Sequence, residues 1–219
     1  MQIEKIHLEK IDSTNKWAKE NLTTLKSDTF YVVRADEQTS GYGRRGHKWI
    51  AAKGNLILTL VFPVTESPHL LTHKLCLCLA KTLEEFSLRP QIKWPNDLLL
   101  NGKKIAGVIC EVSSNIAYLG LGLNVNVTPF QPATSLQEET GSTFDLDQIE
   151  KSLIKNFLQN RSFDSDEYQK RLCFLNKVIF IEDEDKIYTG ACVGIDPSGA
   201  LLLEENKKII KIFSGDIKS

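Results

Sequence analysis

The sequence predicts an α+β fold, with a mixed β-sheet packed with helices over residues 1–175 and a small β-barrel over 176–219. Strand-like and helix-like stretches follow one another as far as residue 175. After Asn176 they give way to short apolar runs separated by turns, the texture of a small all-β unit. The 219 residues, 42% hydrophobic and 25% charged, suffice for one good-sized core with a small appendage.

Ile3 to Leu8 reads as a strand, with Ile3, Ile6 and Leu8 set among charges. Asp12-Ser13-Thr14-Asn15 supplies capping side chains for a helix carrying Trp17, Ala18, Leu22 and Leu25. Phe30 to Ala35 reads as a short buried strand. Asp36 to Gly54 is polar and glycine-bearing, a loop of a length that compact domains usually reserve for function. Asn55 to Phe62 reads as a strand, and Ser67-Pro68 opens a helix to about Leu88, with Ser suited to the N-cap and Pro to the first helical position.

Gln91 to Trp94 and Leu98 to Leu100 read as strand pieces, and Asn101-Gly102 as a hairpin turn, because both residues tolerate positive φ. Lys104 to Val112 and Ile116 to Val125 are apolar enough for central strands. A polar stretch from Thr128 to Thr143 leads to a helix around Asp145 to Asn160, with Leu146, Ile149, Leu153, Ile154 and Phe157 at helical spacing. A second helix is expected at Asp166 to Leu175. Beyond it, Val178 to Ile181, Tyr188 to Ile195, Ala200 to Leu203 and Ile209 to Phe213 read as strands, with Asp196-Pro197-Ser198-Gly199 as a turn.

Lys and Arg total 27 against 28 Asp and Glu, a formal net charge of −1, which argues against binding nucleic acid through a broadly basic surface. No apolar run approaches the roughly 20 residues of a membrane span, and the N-terminus has no signal-peptide core. Five cysteines, an odd number without framework spacing, fit a reduced cytoplasmic chain.

Two clusters carry chemistry. Gly41-Tyr42-Gly43-Arg44-Arg45-Gly46-His47-Lys48-Trp49 sets cations among glycines and ends in an indole. Glycine lets backbone N–H groups approach a phosphate, arginine offers a planar donor fork, and tryptophan stacks on a purine. The same composition also suits a solvated basic loop or a single-stranded RNA contact. Lys93-Trp94-Pro95-Asn96-Asp97 with Lys104 is a rigid turn beside a lysine that opens an apolar strand; taken by itself, a plain turn with a solvated lysine accounts for it better. Gly120-Leu121-Gly122-Leu123-Asn124 lacks the third glycine and helix of a dinucleotide fingerprint. His69, His73 and Cys76 have metal-ligand spacing, but their apolar neighbours favour packing, and no metal site is assigned.

Taken in order, Asp12-Ser13-Thr14-Asn15, the glycine–arginine loop, the Trp-Pro-Asn-Asp turn with its lysine, and Gly-x-Gly-x-Asn resemble the biotin protein ligases. The resemblance runs from Asp12 through the terminal barrel. It implies a catalytic domain followed by an SH3-like barrel, in a form without the N-terminal DNA-binding domain, acting as a ligase only. It further implies ATP and biotin as substrates, Mg²⁺ on the ATP phosphates, and the biotin carboxyl carrier protein of acetyl-CoA carboxylase as partner, with no role for DNA or membrane.

Carried over by position, Ser13, Thr14, Asn15, Gln38, Gly41, Tyr42, Gly43, Arg44 and Lys104 would bind biotin. Arg44, Arg45, His47, Trp49, Asn96, Lys104 and Asn124 would bind ATP, and Arg44, Lys104 and Asp97 would act in catalysis. Tyr42 and His47 stand where the family often carries arginine. Lipoate ligases and octanoyl transferases resemble the same fold but show a different glycine-rich arginine motif. A non-catalytic nucleotide- or RNA-binding module is the alternative of another class. No feature of the sequence fixes an oligomeric state.

Overall fold

The computed structural model describes residues 2–129, 132–184 and 186–218. It begins with two parallel strands joined by a helix: β1 (Gln2–Ile11), α1 (Thr14–Asn21) and β2 (Thr29–Gln38). Strand β1 is a sheet edge and keeps its charges in solvent, whereas β2 has neighbours on both sides and buries Thr29 to Val33 without a break. Ser13 caps α1, its Oγ accepting from the Lys16 amide at 3.4 Å. The helix stops at Asn21, short of the expected Leu25. The β-branched Thr23 and Thr24 follow directly, and such residues lose side-chain freedom in a helix.

The sheet is completed by β3 (Leu56–Pro63), β4 (Gln91–Lys93), β5 (Asp97–Leu100), β6 (Lys103–Ser113) and β7 (Ile116–Leu123), in the order β1-β2-β3-β7-β6-β5-β4. Every pairing except β1 with β2 is antiparallel. Asn101 and Gly102 both take positive φ in the β5–β6 turn, as their side chains predict. Successive side chains of β2 face opposite layers. Phe30 and Val32 join the main core with α2 (Pro68–Glu85) and α4 (Leu146–Gln159), while Tyr31 and Val33 join the smaller one under α1.

Three helical expectations shift. Helix α2 ends at Glu85 rather than Leu88, just before Ser87 takes a positive φ. A short helix α3 (Leu136–Thr140) lies within the polar stretch to which no element was assigned, and residues 130 and 131 of that stretch lie outside the described residues. Its signal was present: Ser135 accepts from the Glu138 amide, and Gly141 terminates it in the left-handed region. The expected helix to Leu175 is the short α5 (Ser165–Gln169). Past it the backbone turns to the sheet edge, where Ile92 donates to the Arg171 carbonyl and Cys173 donates to the Ile92 carbonyl. Those edge bonds replace the ones a longer helix would make.

The C-terminal unit is a five-stranded antiparallel sheet: β8 (Val178–Asp183), β9 (Lys186–Ile195), β10 (Leu201–Glu205), β11 (Lys208–Ile212) and β12 (Asp216–Lys218), in the order β11-β10-β9-β8-β12. Strand β12 was not foreseen. Among the described residues β11 and β12 do not pair, so the expected barrel is an open sheet rather than a closed one. Its inner face (Ile179, Ile181, Leu201, Leu203 and Ile217) is continuous with the main core. That seats β12 beside the site described next.

Candidate functional site

A cavity of about 330 Å³ opens between the 41–49 segment, the 93–97 turn, strands β6 and β7, and the last strand β12. The segment expected as an irregular loop is a small hairpin: Trp49 donates to the Gly41 carbonyl at 2.9 Å and Gly43 to the His47 carbonyl at 2.7 Å. A single 3₁₀ turn, Arg44–Gly46, forms its tip, with Arg45 at φ 53°. Gly41 has to be glycine, since a Cβ there would lie 2.6 Å from Gln38 Nε2 and 2.7 Å from the Trp49 carbonyl.

One end of the cavity is a neutral hydrogen-bonding wall. Gln38 Oε1 accepts from the Thr14 amide at 2.7 Å and from Thr14 Oγ1 at 2.9 Å. Buried Thr59 Oγ1 donates to Asn15 Oδ1 at 2.6 Å and lies 2.9 Å from Thr14 Oγ1. Asn15 donates to Glu111 Oε2 at 2.9 Å and to the Tyr118 carbonyl at 3.3 Å. Ser13 and Tyr42 also line this end.

The other end is cationic and aromatic. Lys104 Nζ lies 2.8 Å from Asp97 Oδ2 and 5.7 Å from the centre of the Trp49 ring. The second Asp97 oxygen is buried without a partner. The indole lies flat on β7: a Cβ on Gly122 would come within 2.2 Å of Trp49 Cε2. Arg44 Nη1 donates to Asn96 Oδ1 at 3.1 Å, and Asn96 is itself stitched to β6 through the Val108 carbonyl.

Of the positions expected from sequence, Ser13, Thr14, Asn15, Gln38, Tyr42, Gly43, Arg44, His47, Trp49, Asn96, Asp97 and Lys104 line this one cavity. Gly41, Arg45 and Asn124 do not. Gly41 closes the hairpin base, and Arg45 reaches into the C-terminal sheet. Asn124 is buried with its amide on the Thr134 carbonyl and its Oδ1 unpartnered.

A neutral hydrogen-bonding wall in one cavity with a lysine, an arginine and a flat indole suits a small polar ligand with an acidic tail beside a nucleotide. Residues 7–126 match the model of the biotin/lipoate A/B protein ligase family, and residues 174–218 match the biotin protein ligase C terminal domain. The chain belongs to the biotin/lipoate A/B protein ligase family.

Within that family it is 30% identical to the bifunctional ligase/repressor BirA of Bacillus subtilis, over 97% of this chain and 73% of that protein. It is also 30% identical to the biotin–[acetyl-CoA-carboxylase] ligase of Paracoccus denitrificans, over 90% of this chain and 92% of that one. Among solved structures it is similar to the biotin protein ligase of Aquifex aeolicus in complex with biotin and ATP. That likeness has a TM-score of 0.86 at 29% identity and covers 98% of this chain and 97% of the other.

Two features of this family member, Glu111 and Asp216, escaped the sequence reading. Glu111 accepts from Asn15, Tyr42 and Lys19; burial by itself would raise its carboxyl, but those hydrogen bonds outweigh it and hold it below the usual range. A lone carboxylate inside the apolar run of β6 was the available signal. Asp216, from β12, takes both Arg44 and Arg45, and nothing in the local sequence announced it. His73 is packed among Phe163, Tyr168 and Trp94 rather than beside ligands, with neither ring nitrogen partnered. Burial first, then His69 and Arg44, push its pKa down to about 3. All five cysteines are free thiols, and no described helix is long and apolar enough to cross a membrane.

Proposed function

We propose that this chain is an ATP-dependent biotin protein ligase. It activates biotin to biotinyl-5′-AMP and transfers the biotinyl group to a lysine of a biotin carboxyl carrier protein, that of acetyl-CoA carboxylase, in the cytoplasm. The observation that carries the reading is the meeting, in one cavity, of the Thr14–Gln38 wall with Arg44, Lys104 and Trp49. We further assign residues 1–175 to the catalytic unit and 176–219 to the C-terminal one.

A carboxylate does not acylate an amine at neutral pH until it carries a leaving group. In the first step the biotin carboxylate attacks the α-phosphorus of ATP, the bond to the bridging oxygen of pyrophosphate breaks, and the acyl-adenylate forms. Two anions must approach, and a unit-charge pair about 4 Å apart is worth about 4 kcal/mol at an effective dielectric near 20. Lys104, at the cationic end of the cavity that also holds the polar wall, serves both anions, while Arg44 serves the phosphate. Ser13, Thr14 and Gln38 orient the biotin ring, with Asn15 behind them, and Tyr42 and Gly43 cover it. Trp49 packs on adenine, and Asn96 and His47 complete the nucleotide side, with Arg45 and Asn124 held outside the cavity. Mg²⁺ would enter with the ATP phosphates, where Asp216 and Asp97 are the carboxylates on the wall.

In the second step the carrier lysine must lose a proton, since about 0.1% of an ordinary lysine is neutral at pH 7.4. Asp97 Oδ1, buried and unpartnered, accepts it. The amine then attacks the acyl carbon and AMP leaves. Incubation with ATP, Mg²⁺, biotin and a carrier domain tests the reading. Mass spectrometry should show the carrier biotinylated at one lysine, and an unmodified carrier would overturn it.

A further inference from the structure

Glu111 does not line the cavity, yet it ties the cavity floor to the hairpin above it. Its Oε2 accepts from Asn15 Nδ2 at 2.9 Å and from the Tyr42 hydroxyl at 2.7 Å, so a floor residue and a hairpin residue share one oxygen. Its Oε1 accepts from Lys19 Nζ at 2.7 Å, and that ammonium also sits 5.9 Å from the centre of the Tyr42 ring. Lys19 comes from α1, Asn15 from the same helix, Glu111 from β6 and Tyr42 from the hairpin. Asn15 spends both amide protons on fixed partners, Glu111 and the Tyr118 carbonyl, and is thereby held for the ligand side.

We propose that Glu111 is a positioning residue: its carboxylate, braced by Lys19, latches Tyr42 of the hairpin to Asn15 of the floor, so that closure over the acyl-adenylate and the shape of the acid-binding end are set together. This rests on the ligase reading for the identity of what is enclosed. A mixed anhydride hydrolyses in water, so the latch matters most after the first step, when the site must keep its intermediate until the carrier arrives. The hairpin tip has its own tether to Asp216, and the latch fixes the opposite, acid-facing end.

The test has two arms. In the ligand-free protein, trypsin cleavage after Arg44 and Arg45 reports hairpin opening. Tyr42→Phe and Glu111→Gln should accelerate it about tenfold, as loss of a hydrogen bond to a charged acceptor implies. In the second arm, biotinyl-AMP is formed in place and its release into solution is followed, together with KM for biotin and kcat for adenylation. Both variants should release the adenylate about tenfold faster and shift KM more than kcat. The double variant should add little to either single one, because both remove the same link. Tyr42→Phe deletes one oxygen and keeps the test valid if Glu111→Gln does not fold.

Wild-type cleavage and release rates in Tyr42→Phe overturn the inference. A wild-type protein that makes no biotinyl-AMP overturns the ligase reading, and the trypsin arm then decides the latch alone.

Discussion

Asp216 accepts from Arg44 at 3.0 Å and from Arg45 at 2.9 Å, so the last strand of the C-terminal sheet holds the tip of a hairpin that belongs to the first unit. Asp183 takes the other Arg45 nitrogen at 3.1 Å. The C-terminal sheet is thus a wall of the cavity as well as a packing surface. Asp216→Asn should leave global stability nearly unchanged, because partly exposed ion pairs contribute about 0–1 kcal/mol. Hydrogen exchange at the Gly43 and Trp49 amides, which close the hairpin, should rise about tenfold, equivalent to some 1.4 kcal/mol of local opening. Unchanged exchange there would show that the hairpin stands without its tether.

Lys104 should matter for turnover more than for nucleotide affinity. Lys104→Ala removes the cation shared by the attacking carboxylate and the phosphate and leaves Asp97 unpaired. Biotinyl-AMP formation at saturating ATP should fall by about a hundredfold or more, the scale of losing one stabilising charge in a transition state. A raised KM with near-normal kcat would make Lys104 a binding residue only.

Gly122 leaves room for the Trp49 indole on the surface of β7. Gly122→Ala puts a methyl where the ring lies, and because the obstacle is a large ring under a hairpin it must swing away. Calorimetry should show ATP binding weakened about tenfold, the order of one lost aromatic contact. Biotin binding without ATP should change far less. Equal losses for both ligands would place the indole elsewhere in the reaction.

His73 makes stability depend on pH. It is neutral in the fold, with its pKa pushed down to about 3, and titrates near 6.5 when unfolded. Its contribution is therefore complete above about pH 6.5 and is lost as pH falls towards 3, at up to about 1.4 kcal/mol per unit. Chemical denaturation between pH 5.5 and 6.5 lies above the range in which the depressed carboxylates Asp196 and Glu167, both near 2 in the fold, take up protons on unfolding. The slope seen for the wild type in that window should shrink in His73→Met, and an identical slope in both would refute this account.

Most of the architecture was legible because each signal was local. Apolar residues set among charges marked β1, unbroken apolar runs marked β2, β3 and β7, and Asn101-Gly102 fixed a hairpin through its own backbone preference. The misses were non-local. The chain after Gln169 leaves the helix because Ile92 offers it edge bonds, which no window of sequence contains. Strand β12 exists because β8 pairs with it. The same division holds at the cavity: Thr14, Gln38, Arg44, Trp49 and Lys104 sit in recognisable motifs and line one space. Glu111 and Asp216 reach the hairpin only through tertiary contacts.

The central claim is that this cavity activates biotin rather than another acid. Incubating the protein with ATP and Mg²⁺ and one of biotin, lipoate or octanoate, then analysing the products by mass spectrometry, addresses it directly. Biotin should yield biotinyl-AMP and pyrophosphate, with the other acids yielding little adenylate. Lipoyl- or octanoyl-AMP in the absence of biotinyl-AMP would contradict the assignment.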